Sequence, residues 1–422
     1  MTLRTTAGRA LRDGAVIAVA MAVMNVTTYA FTILAARLLG PAEYGALAAV
    51  MGLLLVVNVL SLGLQATGAR RVSAAPAHRP QIEREVLATS YTSALLLGLV
   101  VLAASPLVTA TLNLDSWGAA ALIAATAVPL SVMGGQAGIL QGEERWGPLA
   151  AIYLAVGVGR LGFGAVALVL EPNAQGAMVG VTIGAIVPVV IGWAALRHRD
   201  RERAPRTARL PLSARWAKGG VLREVAHNSH ALLAFFALSN ADVIIARSRL
   251  DEHQAGLYAA GLILAKAVLF LPQFVVVIAF PSMSKQGGSR RMHLLSLAAV
   301  LAIGLVTVAG VAVLSRLAVG FVGGSAYSDL QDQLWLFAVL GTLLAMIQLM
   351  VYDVVARQHQ RMVFVVWAAL VGLACTAPLV GSLTFLITVV VSIDLLLFLV
   401  LLVVSLRRPV AAPPTPAEAR VG

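Results

Sequence analysis

Lys266 stands in the middle of a long apolar segment, and it is the residue with the most chemistry to offer. It lies about 11 residues, or roughly 16 Å, from the nearer end of that segment. A cation at such depth in a membrane costs about 2.5–3.5 kcal/mol. It therefore needs a partner, water or an anionic ligand, or it must snorkel along its stem to a headgroup. Asp242 is the nearest acid in sequence, but it would sit about 9 Å shallower in the neighbouring helix. Arg160 and Asp394 are also deep within apolar segments, where they either pair with each other or serve separate roles. Asp242 and Asp394 are the candidate carriers of a coupling ion.

Uncharged polar residues fall at helical spacing around these charges. Tyr44, Asn58, Ser61 and Gln65 share one helix face, and Tyr258, Lys266 and Gln273 share another. Asn228, Ser239 and Asp242 form a third stripe, and Asn25, Thr28 and Thr32 a fourth. Two readings compete: the stripes wall a hydrophilic cavity, or they hydrogen-bond helices to one another. Other chemistries find no support. GVGRLGFG around Arg160 fits a dinucleotide-loop spacing but follows no strand and lies inside an apolar segment, so its glycines read as helix-packing positions. A single cysteine, Cys375, leaves no disulfide, and there is no metal-ligand cluster or cofactor motif.

The elements that position these residues are membrane helices. Hydrophobic residues make up 59% of the chain and charged residues 12%, with a mean hydropathy of +0.89. Roughly twelve segments are long enough to cross a bilayer: 14–36, 45–69, 86–110, 118–141, 148–170, 176–196, 225–246, 256–280, 293–315, 333–353, 362–380 and 383–406. In hydrocarbon each backbone polar group needs an internal partner, so these segments are helices. The first is too long for a cleaved leader and reads as a retained span. With the N-terminus in the cytoplasm, 25 of the 31 Lys and Arg residues fall on the cytoplasmic side and 4 on the other, a strong positive-inside bias that puts both termini inside. The net charge of +12 is thus spent on orientation and on anionic headgroups rather than on nucleic acid. The basic stretch 197–224 separates six spans from six, which divides the chain into a tail (1–13), a first lobe (14–196), a linker (197–224), a second lobe (225–406) and a Pro-rich tail (407–422). The expected fold is all-α, a polytopic membrane protein of two six-helix lobes.

A repeat supports the division. Ala36-Arg37 answers to Ala246-Arg247, 210 residues on, and Gly45, Ala48 and Ala49 answer to Gly256, Ala259 and Ala260, 211 residues on. Each copy joins the first two spans of its lobe on the outer side. Parallel repeats of this kind carry their site near the midplane between the halves.

A basic N-terminus, a span with Asn25, then AARLLGPAEYGALAAV and GLQATGARR resembles the opening of bacterial polysaccharide biosynthesis and export proteins. These are the Wzx-type lipid-linked oligosaccharide flippases of the MOP superfamily, which also holds the MATE exporters. NADVIIAR and AGLYAAGLILAKAVLFLPQFVVVIAFPSMS resemble the start of that family's second lobe. The resemblance implies a V-shaped pair of lobes whose first two helices wall a central cavity. It implies that cavity cations, here Lys266, Arg37 and Arg160, meet the phosphate of an isoprenoid-linked sugar, with the bilayer and polysaccharide assembly proteins as partners. The location implied is the bacterial cytoplasmic membrane. The rival readings are an ion-coupled exporter of small amphipathic or cationic compounds, a membrane enzyme, for which the outer loops are too short, and a non-transporting scaffold.

Overall fold

A computed structural model describes the backbone of residues 3–202, 219–284, 290–356 and 360–406, with side chains described over 14–197, 224–226, 229–269, 295–351 and 363–404. The described residues form helices and turns and no strand. The helices are α1 (Leu3–Val57), α2 (Val59–Ala74), α3 (Arg79–Thr111), α4 (Trp117–Gly142), α5 (Trp146–Leu170), α6 (Ala174–Glu202), α7 (Gly219–Arg249), α8 (Glu252–Ser284), α9 (Arg290–Val313), α10 (Ser315–Val322), α11 (Leu334–Ala356), α12 (Gln360–Thr376) and α13 (Leu383–Leu406). Nine stretches of the described residues are long and apolar enough to cross a membrane, one of them the 61-residue stretch Gly14–Ala74. Helix extends further than the apolar segments alone suggested. α1 begins at Leu3, and α6 and α7 reach into the basic stretch from either side. Most of that stretch, and the Pro-rich tail, lie outside the described residues.

Two turn chemistries make the two repeated hairpins. α1 folds back at Gly40, whose φ of 70° and ψ of 177° suit a residue without Cβ. Pro41 follows, at a helix start where its missing N–H goes unneeded. Between α7 and α8 the turn is closed by Asp251, whose Oδ1 accepts the Gln254 N–H at 2.9 Å, as a helix N-cap does. Three residues after Gly40 and three after Asp251 the roles converge. Glu43 Oε2 accepts the N–H of Ala174, the first residue of α6, at 2.7 Å. Gln254 Oε1, the equivalent position, accepts the N–H of Leu383, the first residue of α13, at 3.2 Å. Each hairpin thus satisfies an orphan donor at the start of the last helix of its own half.

α1–α6 pack among themselves, and so do α7–α13. Between helices in lipid the gain comes from close van der Waals contact, which small residues permit. A Cβ on Gly138 of α4 would stand 2.5 Å from the Gln65 carbonyl oxygen of α2, and Gly341 of α11 abuts the Ala265 carbonyl of α8 in the matching place. The halves meet where α1 touches α7 and α8 and where α2 runs along α7. At the hairpin end the contact is backbone to backbone: a Cβ on Gly45 would stand 2.9 Å from the Gly256 amide nitrogen, and one on Gly256 would collide with the Pro41 carbonyl. At the other end Arg70 and Arg71 both pair with Glu224 of α7, Arg71 at 3.0 Å.

Gly138→Val is expected to force α4 off α2 and to cost about 1–3 kcal/mol. Thermal unfolding in detergent should show a lowered Tm, and an unchanged Tm would contradict the close α2–α4 contact.

Candidate functional site

Between the halves, near the hairpin end, lies a cavity of about 170 Å³. Its wall is built from both arms of α1, one residue each of α5 and α7, and Ala259 to Lys266 of α8. Most of the lining is apolar. Asn25, Thr28, Tyr29, Thr32 and Tyr44 supply polar groups from α1, and the two charges are Arg160 and Lys266. Tyr29 is held by donating its hydroxyl across the cleft to the Ile263 carbonyl, 2.7 Å away.

Arg160 reaches the cavity because its glycines let α5 sink between neighbours. Gly157 faces the α1 backbone at Met24, and Gly159 faces Gly184 of α6, whose carbonyl oxygen is 2.9 Å from where a Cβ would be. Half-buried on the cavity wall, Arg160 makes no hydrogen bond or ion pair among the described residues. Lys266 is different. Its Nζ donates to Asn240 Oδ1 at 3.2 Å. Asn240 is itself fixed, its Nδ2 donating to the Phe236 carbonyl at 2.8 Å. Asp242, two residues on, lies within electrostatic range of Lys266. The depth mismatch between Lys266 and Asp242 is thus bridged by Asn240, which sits closer to the level of the ammonium and whose type and position in NAD carried no special mark.

Asp242 is 2% exposed. Its Oδ1 accepts the Val243 N–H at 2.8 Å and its Oδ2 accepts the Tyr258 hydroxyl at 3.0 Å. The Tyr258 ring packs edge-on against Phe337, centroids 5.3 Å apart. Asp394 of α13, also 2% exposed, lies within electrostatic range of both Asp242 and Tyr258. The two acids therefore share one polar cluster in the second half. Among the described residues Arg160 and Asp394 form no ion pair.

Of the residues singled out by type and spacing, the cavity gathers Asn25, Thr28, Thr32, Tyr44, Arg160 and Lys266. Others lie off its wall. Gln65 turns into its own half, where Nε2 donates to Gln141 Oε1 at 3.0 Å and to the Tyr153 hydroxyl at 2.7 Å. Ser61 likewise donates to the Leu130 carbonyl at 2.7 Å. Asn58 marks a break between α1 and α2, where the Leu62 N–H to Asn58 carbonyl bond is stretched to 3.4 Å. Tyr258 is fully buried against Asp242 rather than facing the cleft. Arg37 sits at the hairpin end, its Nη2 donating to the Gly320 carbonyl at 2.9 Å. The side chain of Gln273 lies outside the described residues. No group of three metal-binding side chains occurs among the described residues.

Fold and cavity together define an all-helical, multi-pass membrane protein with a cleft between two bundles. The fold is similar to that of solved transporters of the MOP superfamily. An inward-facing multidrug resistance MATE family transporter of that superfamily superposes with a TM-score of 0.65 at 14% identity, covering 91% of this chain and 94% of that one. An outward-facing structure of such a transporter gives 0.58 at 15% identity, covering 94% and 96%. A MOP superfamily transporter from Pyrococcus furiosus gives 0.51 at 12%, covering 93% and 94%. No curated protein matches the chain significantly. The polysaccharide biosynthesis protein family model matches residues 10–286, and the chain belongs to that family.

Tyr258→Phe is expected to leave Asp242 Oδ2 without its hydroxyl donor and to destabilise the second half by about 1–3 kcal/mol. A detergent melting curve reads this, and equal Tm values for variant and parent would refute the bond's importance.

Proposed function

We propose that the protein moves a lipid-linked oligosaccharide, a polysaccharide precursor, across the bacterial cytoplasmic membrane by alternating access. The observation that carries this reading is Arg160, a cation on the cavity wall with no protein partner among the described residues. An uncompensated charge in the bilayer interior is expensive, and an anionic ligand offsets the cost. The phosphate that joins a sugar to an isoprenoid carrier is such an anion, and a guanidinium fork suits it. In this reading Lys266 is a second, partly neutralised cation, and Asn25 offers an amide to sugar hydroxyls. The isoprenoid tail stays in lipid.

A cavity of about 170 Å³ is small beside the roughly 300 Å³ at which small-molecule sites begin, so the halves must part to admit an oligosaccharide. The topology we propose has twelve crossings, with both termini and the 197–224 linker in the cytoplasm. Gly14–Ala74 then counts as two spans folded at Gly40, and α8 and α12 complete the set. The lobes are 14–196 and 225–406, flanked by tails 1–13 and 407–422. In this reading the protein acts as a transporter rather than an enzyme, which its family and the transporters that share its fold support.

One observation favours a second reading, an ion-coupled exporter of amphipathic or cationic compounds. Asp242 and Asp394 share a buried cluster in the second half, a place where a carboxylate can exchange a proton or hold a cation as the halves move. Under the first reading the same pair couples an ion to flipping.

Proteoliposomes loaded with a fluorescent lipid-linked sugar separate the two. Arg160→Gln should slow flipping about 10- to 100-fold, the equivalent of one charged hydrogen bond. Wild-type flipping by Arg160→Gln, together with cation efflux that Asp242→Asn abolishes, would hand the case to the exporter.

A further inference from the structure

At the hairpin end each half holds the other by an arginine. Arg37, from the first hairpin, donates Nη2 to the Gly320 carbonyl in the last turn of α10, in the second half, at 2.9 Å. Arg247, from the second hairpin, donates Nε to the Leu112 carbonyl at 3.0 Å and Nη2 to the Asn113 carbonyl at 2.9 Å, just past the end of α3 in the first half. The donors are the two arginines of the repeated Ala-Arg pair. Their acceptors also correspond, each following the third long helix of its half: just past α3 in the first, and in α10, the short helix after α9, in the second. In both cases the carbonyls belong to a helix end, where intrahelical donors have run out and the dipole is negative. Such a carbonyl welcomes a guanidinium, and the bond is charge-assisted. Tyr327 adds a third tie across the cleft, its hydroxyl donating to the Ala36 carbonyl at 2.8 Å, next to Arg37. Arg247 is 4% exposed, so its bonds do not compete with bulk water.

We propose that Arg37 and Arg247 are a two-point latch that shuts the cavity at the hairpin end, and that both must let go before it opens there. The glycine contact between the hairpins permits the closure, but packing alone gives a shallow preference. The arginines supply bonds that exist only when the halves are closed, so they bias a two-state equilibrium by their differential interaction. The symmetry matters, because release of one arginine still leaves the other half-cleft tied. That transport occurs at all rests on the function proposed above, but the latch is tested without substrate.

The test is thiol labelling from the hairpin side with a membrane-impermeant maleimide in intact cells. The parent carries Cys375→Ser and Ala48→Cys, a cavity-wall position. Adding Arg37→Gln and Arg247→Gln together should raise the labelling rate about tenfold, roughly one charged hydrogen bond lost in net. Each single variant should give less than half of that rise. Tyr327→Phe, which keeps the ring and removes only the hydroxyl, should raise it by a smaller factor. A control with Ala345→Cys in place of Ala48→Cys reports a core position that is 1% exposed. An unchanged rate at Ala48→Cys in the double variant overturns the latch. So does an equal rise at Ala345→Cys, which means loosening of the whole fold. Unaltered latch behaviour alongside failed sugar flipping would leave the latch standing and sink the substrate assignment alone.

Discussion

The close approach of Gly45 and Gly256 is the contact on which the rest of the arrangement depends. Two hairpins can touch backbone to backbone only where neither carries a Cβ. In lipid, apolar side chains gain little by leaving one apolar surroundings for another, so contact geometry rather than hydrophobic transfer decides how helices associate. Once the hairpins meet, four other relationships fall into place. The arginines beside them reach carbonyls of the opposite half, and Glu43 and Gln254 reach the starts of α6 and α13 in their own. The hairpins are thus joints within each half and contacts between the halves at once.

Charge is managed differently on the two sides of the cleft. The second half surrounds its charges with partners: Lys266 with Asn240, and Asp242 with Tyr258 and a backbone amide. The first half leaves Arg160 open to the cavity. A low-dielectric interior makes both choices consequential, since a bond there is stronger and a missing partner costs more. The paired cluster favours one fixed arrangement, whereas the guanidinium has no protein partner among the described residues.

Periodicity located the polar stripes but did not say which neighbour each one faces. Tyr44 and Lys266 do line the cavity, whereas Ser61 and Gln65, one and two turns beyond Asn58 on the stripe that begins at Tyr44, bond inside their own half. Helical spacing puts residues on a common face over a few turns. A long helix that crosses its partners at an angle presents one face to different neighbours along its length. Asn58 adds a break of its own between α1 and α2. For Arg37 the sign and the position were legible but the target was not, because a helix-end carbonyl leaves no mark in a sequence.

Composition, apolar segment length and the Gly40-Pro41 and Asp251 turns follow from local residue chemistry, and they determined by themselves that this is a helical membrane protein built from hairpins. The repeated Ala-Arg and Gly positions also placed the two halves in register. What only the tertiary structure decided is which side chains from different helices meet. It chose Asn240 for Lys266, brought Asp394 within electrostatic range of Asp242, and left Arg160 on the cavity wall without a partner among the described residues. Local propensities act within a few residues, whereas these pairings depend on how the bundles cross, and that angle is fixed by many small contacts acting together.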